Sequence, residues 1–104
     1  MSNHFVGSFY FKRTTSGNLL GEFSNNGDAN LHVESARLVG STTDFIGNYI
    51  SSWDDGTISS ANLKISPFGN KYQVVWSHKT GSTIDYEGEA FVAGEMLIGY
   101  YRKK

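Results

Sequence analysis

Leu97-Ile98-Gly99-Tyr100-Tyr101 carries the pattern that decides the fold: two aliphatic or aromatic residues, a glycine, any residue, then an aromatic. The pattern recurs at Phe5-Val6-Gly7-Ser8-Phe9, Leu19-Leu20-Gly21-Glu22-Phe23 and Phe45-Ile46-Gly47-Asn48-Tyr49, with a looser relative at Tyr86-Glu87-Gly88-Glu89-Ala90-Phe91. Side chains alternate along a strand, so the first residue, the glycine and the final aromatic of each copy share one face. Glycine weakens a strand by about 0.5–1 kcal/mol relative to alanine, and its repeated use needs a physical reason. Glycine lets a strand coil sharply enough to close a sheet, and an adjacent aromatic ring can cover the bared backbone. The pattern therefore predicts a closed sheet with the glycine face inward. Its uneven spacing excludes a solenoid.

Outward from these copies, period-two alternation continues and no sustained run of apolar residues at helical spacing occurs. Strands are expected at Phe5 to Lys12, Leu19 to Ser24, Asn30 to Val39, Asp44 to Trp53, Ala61 to Ser66, Tyr72 to His78, Ile84 to Val92 and Glu95 to Arg102. Short turns separate them: Thr15-Ser16-Gly17-Asn18, Asn25-Asn26-Gly27-Asp28, Asp54-Asp55-Gly56, Phe68-Gly69-Asn70 and Lys79-Thr80-Gly81. Parallel pairing needs crossovers of roughly a dozen residues or more, longer than any of these gaps. The expected fold is all-β: one domain over residues 1–104, an antiparallel up-and-down meander of about eight strands closed into a small barrel.

Composition supports one core and narrows the function. Aromatic residues make up 14% of the 104 residues, enough apolar area to offset much of the backbone entropy lost on folding. A net charge of −1, from nine basic and ten acidic residues, leaves no electrostatic footprint for nucleic acid. Arg102, Lys103 and Lys104 form the one basic cluster and read as a frayed, solubilising end. The absence of cysteine excludes disulfides, thiolate metal sites and cysteine nucleophiles. No signal-peptide pattern and no membrane-length apolar run is evident, so the expected location is cytoplasmic, with no membrane partner.

Taking the glycine face as interior turns Leu31 and Val33 inward on the third predicted strand, Tyr49 and Trp53 on the fourth, Tyr72, Val74 and Trp76 on the sixth, Ile84, Tyr86 and Val92 on the seventh, and Leu97 and Tyr101 on the last. An eight-stranded barrel is just wide enough to be filled by side chains or to hold one small ligand. The aromatic crowd favours filling, and the interior glycines leave room. Val6, Tyr10, Leu20, Ile46, Ile50, Val75, Phe91, Met96, Ile98 and Tyr100 fall on the outer face, mostly on the first, fourth and last strands. First and last strands meet on closure, and an apolar strip there predicts a homodimer.

Chemistry-bearing residues are sparse. His4, His32 and His78 lack the spacing of a metal motif, so no metal or cofactor is expected. His78 extends the inward face of Tyr72, Val74 and Trp76 and stands where it could line a pocket mouth, although a partly exposed, turn-flanking role is favoured over that. Asp85, Glu87 and Glu89 alternate on the outer face as a solvated row rather than as paired catalytic carboxylates. Asp54-Asp55-Gly56 is a turn, lacking the further ligands of a calcium loop. No serine sits in a nucleophile turn, so no catalytic residue is assigned.

Tyr72-Gln73-Val74-Val75-Trp76, followed by Ser82-Thr83-Ile84-Asp85-Tyr86-Glu87-Gly88 and Leu97-Ile98-Gly99-Tyr100-Tyr101, resembles the later strands of calycin-type barrels of the avidin and lipocalin kind, over about a third of the chain. Gly7-Ser8-Phe9 stands where avidin-type barrels carry Gly-x-Trp. The resemblance implies a small-ligand barrel in which Trp76 and Tyr86 line the cavity and Ser82 and Thr83 offer hydroxyls near its mouth. The expected function is non-enzymatic binding of a small apolar or aromatic ligand at an open end, by Tyr49, Trp53, Trp76, His78, Ser82, Thr83, Tyr86 and Tyr101. An assembly module with a filled core is the alternative, and an isomerase or cyclase-type barrel comes third.

Overall fold

Alternating side chains and glycine-bearing turns produce eight strands: β1 (Val6–Arg13), β2 (Leu19–Asn25), β3 (Asp28–Val39), β4 (Gly47–Asp54), β5 (Ile58–Phe68), β6 (Lys71–Ser77), β7 (Ile84–Ala93) and β8 (Met96–Lys103). The structure, a computed structural model, describes residues 6–42, 44–54 and 57–104, without the side chains of 28 and 29. His4, Phe5 and the Asp55-Gly56 part of the expected turn lie outside the described residues. Each strand pairs antiparallel with the next, and β8 pairs with β1 from Val6↔Arg102 to Lys12↔Met96. The result is the closed up-and-down barrel expected from the sequence.

Two hairpins show how the turns set register. Phe68 faces Lys71 across Gly69-Asn70, and Ala93 faces Met96 across Gly94-Glu95. Gly69 and Gly94 take φ of +62° and +63°, the left-handed start that a tight two-residue hairpin demands.

The repeated glycines act at the closure, each against the strand beside it. On the inner face Gly7 lies opposite Tyr101, Gly99 opposite Phe9, Gly21 opposite Phe11 and Gly88 opposite Tyr101. A Cβ at Gly21 would strike the Tyr10 carbonyl, and one at Gly88 the Tyr100 carbonyl. These glycines lie on β7, β8, β1 and β2, a contiguous run of strands across the closing seam. Gly47 differs: it opens β4, and a Cβ there would meet the Leu38 side chain at 3.3 Å. Its neighbours Phe45 and Ile46 precede the strand rather than belonging to it.

The inner face is packed solid over half the barrel's length. Phe11, Leu19, Tyr49, Leu63, Ile65, Val74 and Leu97 are fully buried. Thr42 and Phe45, from the β3–β4 connection, close this end: Phe45 is buried, Tyr49 donates its hydroxyl to the Phe45 carbonyl at 2.8 Å, and Arg13 donates to the Thr42 carbonyl at 2.6 Å.

Three expectations need correction. Leu31 and Val33 point outward, 63% and 59% exposed, because β3 pairs Gly21 with Glu34 and Leu19 with Ala36, which turns its even-numbered residues inward. Ile84 and Val92 sit at opposite ends of β7 and are exposed, since few neighbours cover a strand's terminal residues. The basic C-terminus is not frayed: β8 runs to Lys103, the Lys104 amide donates to the Asp85 carbonyl at 2.9 Å, and Lys104 Nζ meets Glu87 at 3.2 Å.

Candidate functional site

At the end opposite the Phe45 plug, the inner face opens into a recess of about 40 Å³, lined by Phe23, Asn25, Glu34, Trp53, Trp76, Tyr86 and Tyr101. Each wall residue follows from strand register. Phe23 and Asn25 end β2, Trp53 nears the end of β4, Trp76 nears the end of β6, Tyr86 begins β7 and Tyr101 nears the end of β8. In an up-and-down meander those positions all lie at one rim.

The aromatic rings buttress one another in tilted and edge-on contacts. Tyr101 lies 5.7 Å from both Trp76 and Tyr86, and Phe23 lies 6.4 Å from both Trp53 and Tyr101, measured between ring centres. Such geometries contribute about 0.5–1.5 kcal/mol per pair beyond area burial and hold the walls in place. Asn25 Nδ2 reaches the Tyr101 hydroxyl at 3.4 Å.

Glu34 is the chemical centre of the recess. Its side chain is only 4% exposed, yet it lines the cavity. Trp76 Nε1 donates to Glu34 Oε2 at 2.7 Å, and Ser51 Oγ donates to the same oxygen. Burial pushes the carboxyl up to about 7, while the Ser51 and Trp76 hydrogen bonds pull it back down. Among the described residues no cation pairs with it. Near neutral pH this group divides between a proton-bearing donor and a bare anion.

The structure brings together four of the eight residues proposed from sequence: Trp53, Trp76, Tyr86 and Tyr101. Tyr49 belongs to the packed half, with its hydroxyl committed to Phe45. His78, Ser82 and Thr83 stand in the β6–β7 connection at the rim of the same end, exposed and outside the lining. His78 Nδ1 instead pairs with Thr80 Oγ1 at 2.9 Å, and the His78 amide donates to the Thr83 carbonyl at 2.8 Å.

Sequence reasoning missed Phe23 and Asn25 as walls, and above all Glu34. The signal for Glu34 was present in the second half of its strand. Ser35-Ala36-Arg37-Leu38 alternates with the even positions apolar, which carries Glu34 inward, whereas Leu31 and Val33 suggest the opposite phase. Only pairing with β2 and β4 resolves the conflict.

Among the described residues no group of three or more histidines, aspartates or glutamates is placed to hold a metal ion, and no helix is long and apolar enough to cross a membrane. The fold and site together define a closed eight-stranded barrel, plugged at one end, with an aromatic-walled recess around one buried carboxyl at the other. In comparisons with known proteins, no family model, no curated protein and no solved structure matched the chain.

Proposed function

We propose that this protein is a binding barrel that takes a small aromatic or apolar ligand at its open end, with a compact polar headgroup seated on Glu34. The observation that carries the reading is the recess itself: five aromatic walls from five strands converge on one buried carboxyl, the combination that ligand sites use to unite apolar affinity with orientation. Its volume sets a limit. About 40 Å³ admits a headgroup or a few waters, so most of a larger ligand would lie in the mouth against Trp53, Tyr86 and Tyr101.

Trp53 and Trp76, the only two tryptophans of the chain, both line the recess, so intrinsic fluorescence reports its occupancy directly. Titration with a panel of small aromatic probes, indole and benzyl alcohol among them, is expected to shift or quench the emission saturably. An unchanged spectrum across the whole panel overturns the reading.

A second reading, self-association through the outer face, draws on the row Phe91, Ile98 and Tyr10, which are opposed across β7, β8 and β1. Phe91 and nearby Tyr100 are more than half exposed.

A further inference from the structure

We infer that the recess selects organic cations, an ammonium nitrogen lodging among the Trp53, Trp76, Tyr86 and Tyr101 rings with the Glu34 carboxylate as its counter-ion. This rests on the ligand-binding reading above and names the chemistry of the ligand.

Buried charges in proteins are paired, because an isolated ion loses far more hydration than a neutral group does. Glu34 is buried with no cation beside it among the described residues, and both of its hydrogen bonds fall on Oε2. Oε1 has no partner among the described residues, and it is not among the buried unpaired atoms either, a condition met only by Arg13 Nε. Oε1 is thus the oxygen left with access to the recess.

Two sources can supply the missing positive charge. One is a proton, which burial makes the carboxyl hold more tightly. The other is a cationic ligand, and the walls favour it: tryptophan and tyrosine faces attract cations through their ring quadrupoles, most strongly where water is excluded. The cavity volume suits a compact ammonium head with its substituent directed outward. A neutral apolar ligand would gain the ring contacts but leave Oε1 unpaired or dependent on its proton.

Among the described residues the other titratable groups around Glu34 are few. Tyr86 on β7 and Tyr101 on β8 face the recess, and His32 on β3 stacks on Phe23 of β2 at 5.3 Å. Lys103 on β8 lies across from Tyr86 at the exposed rim. From β4 and β6, Glu34 meets Ser51, Trp53 and Trp76, none of which carries charge.

The test compares benzylamine with benzyl alcohol, which match in shape and differ in charge, by tryptophan fluorescence and calorimetry on the full chain between pH 5 and 8.5. Benzylamine keeps its charge throughout this range. It is expected to bind about tenfold or more tightly than the alcohol above pH 7. Below that its affinity should fall by up to about tenfold per pH unit as the ammonium competes with the proton on Glu34. Glu34→Gln, whose amide oxygen can still accept from Ser51 and Trp76, should remove both the preference and the pH dependence while leaving benzyl alcohol binding within about threefold. Retention of the pH dependence in this variant would assign it to a group other than Glu34 and overturn the proposal. Equal binding of the two probes at every pH overturns the cation inference and leaves the ligand-binding barrel standing. Binding of neither removes both. If Glu34→Gln fails to fold, the two-probe comparison on the unmodified chain still decides.

Discussion

Glu34 and Leu31 stand three positions apart on β3 and face opposite sides of the sheet, with the carboxylate inside and the leucine in solvent. This inversion has a measurable cost. A carboxyl held at about 7 in the fold and near 4.5 when unfolded binds more protons folded than unfolded between those values. Stability therefore falls as pH rises: the contribution is complete below about 4.5 and lost on passing 7. The size is on the order of 3 kcal/mol at about 1.4 kcal/mol per pH unit. In urea denaturation, Glu34→Gln is expected to match the parent near pH 4.5 and to exceed it by roughly that amount at pH 8. Parallel profiles for the two proteins would refute the buried carboxyl.

Strands β7, β8, β1 and β2 each carry a glycine set against the backbone of a neighbouring strand. At Gly21 and Gly88 the obstructing atoms are main-chain carbonyls, which cannot yield without prying paired strands apart. Gly21→Ala and Gly88→Ala are each expected to lose about 3 kcal/mol or more, the upper part of the overpacking range. Gly81→Ala is the control, because open space surrounds that position, and it should change stability by no more than about 0.5 kcal/mol. Thermal melts followed by circular dichroism distinguish the cases; equal Tm values for all three variants would remove the close-approach explanation. The glycine pattern was legible in sequence because spacing is local information. Its partners were not, since the ring covering Gly7 belongs to Tyr101 on a neighbouring strand rather than to the glycine's own motif.

Closure of β1 on β8 leaves no sheet edge, so a second copy cannot associate by adding a strand. Any self-association must use side chains of the outer face, and the near-neutral net charge of −1 offers little repulsion between copies. The proposed dimer through Phe91, Ile98 and Tyr10 should give twice the monomer mass in light scattering at micromolar concentration, and Phe91→Lys should halve it. A monomer mass for the parent protein sinks that reading. The recess lies inside the barrel and away from this face, so ligand binding and association are expected to vary independently.

Period-two alternation and glycine-bearing turns determine eight strands and their antiparallel order from sequence alone, because each depends on residues a few positions apart; closure, which the glycine pattern led one to expect, was decided against an open rolled sheet or a sandwich only by the pairing of β1 with β8. Trp53, Trp76, Tyr86 and Tyr101 were likewise recoverable as inward walls at strand ends. The tertiary structure decided which half of the interior is filled, because the plug formed by Phe45, Arg13 and Thr42 draws on β1 and the β3–β4 connection together. It also decided the phase of β3. That strand carries apolar residues on both faces, and only its register against Gly21 and Trp53 turns Glu34 inward, placing the carboxyl on which the proposed chemistry rests.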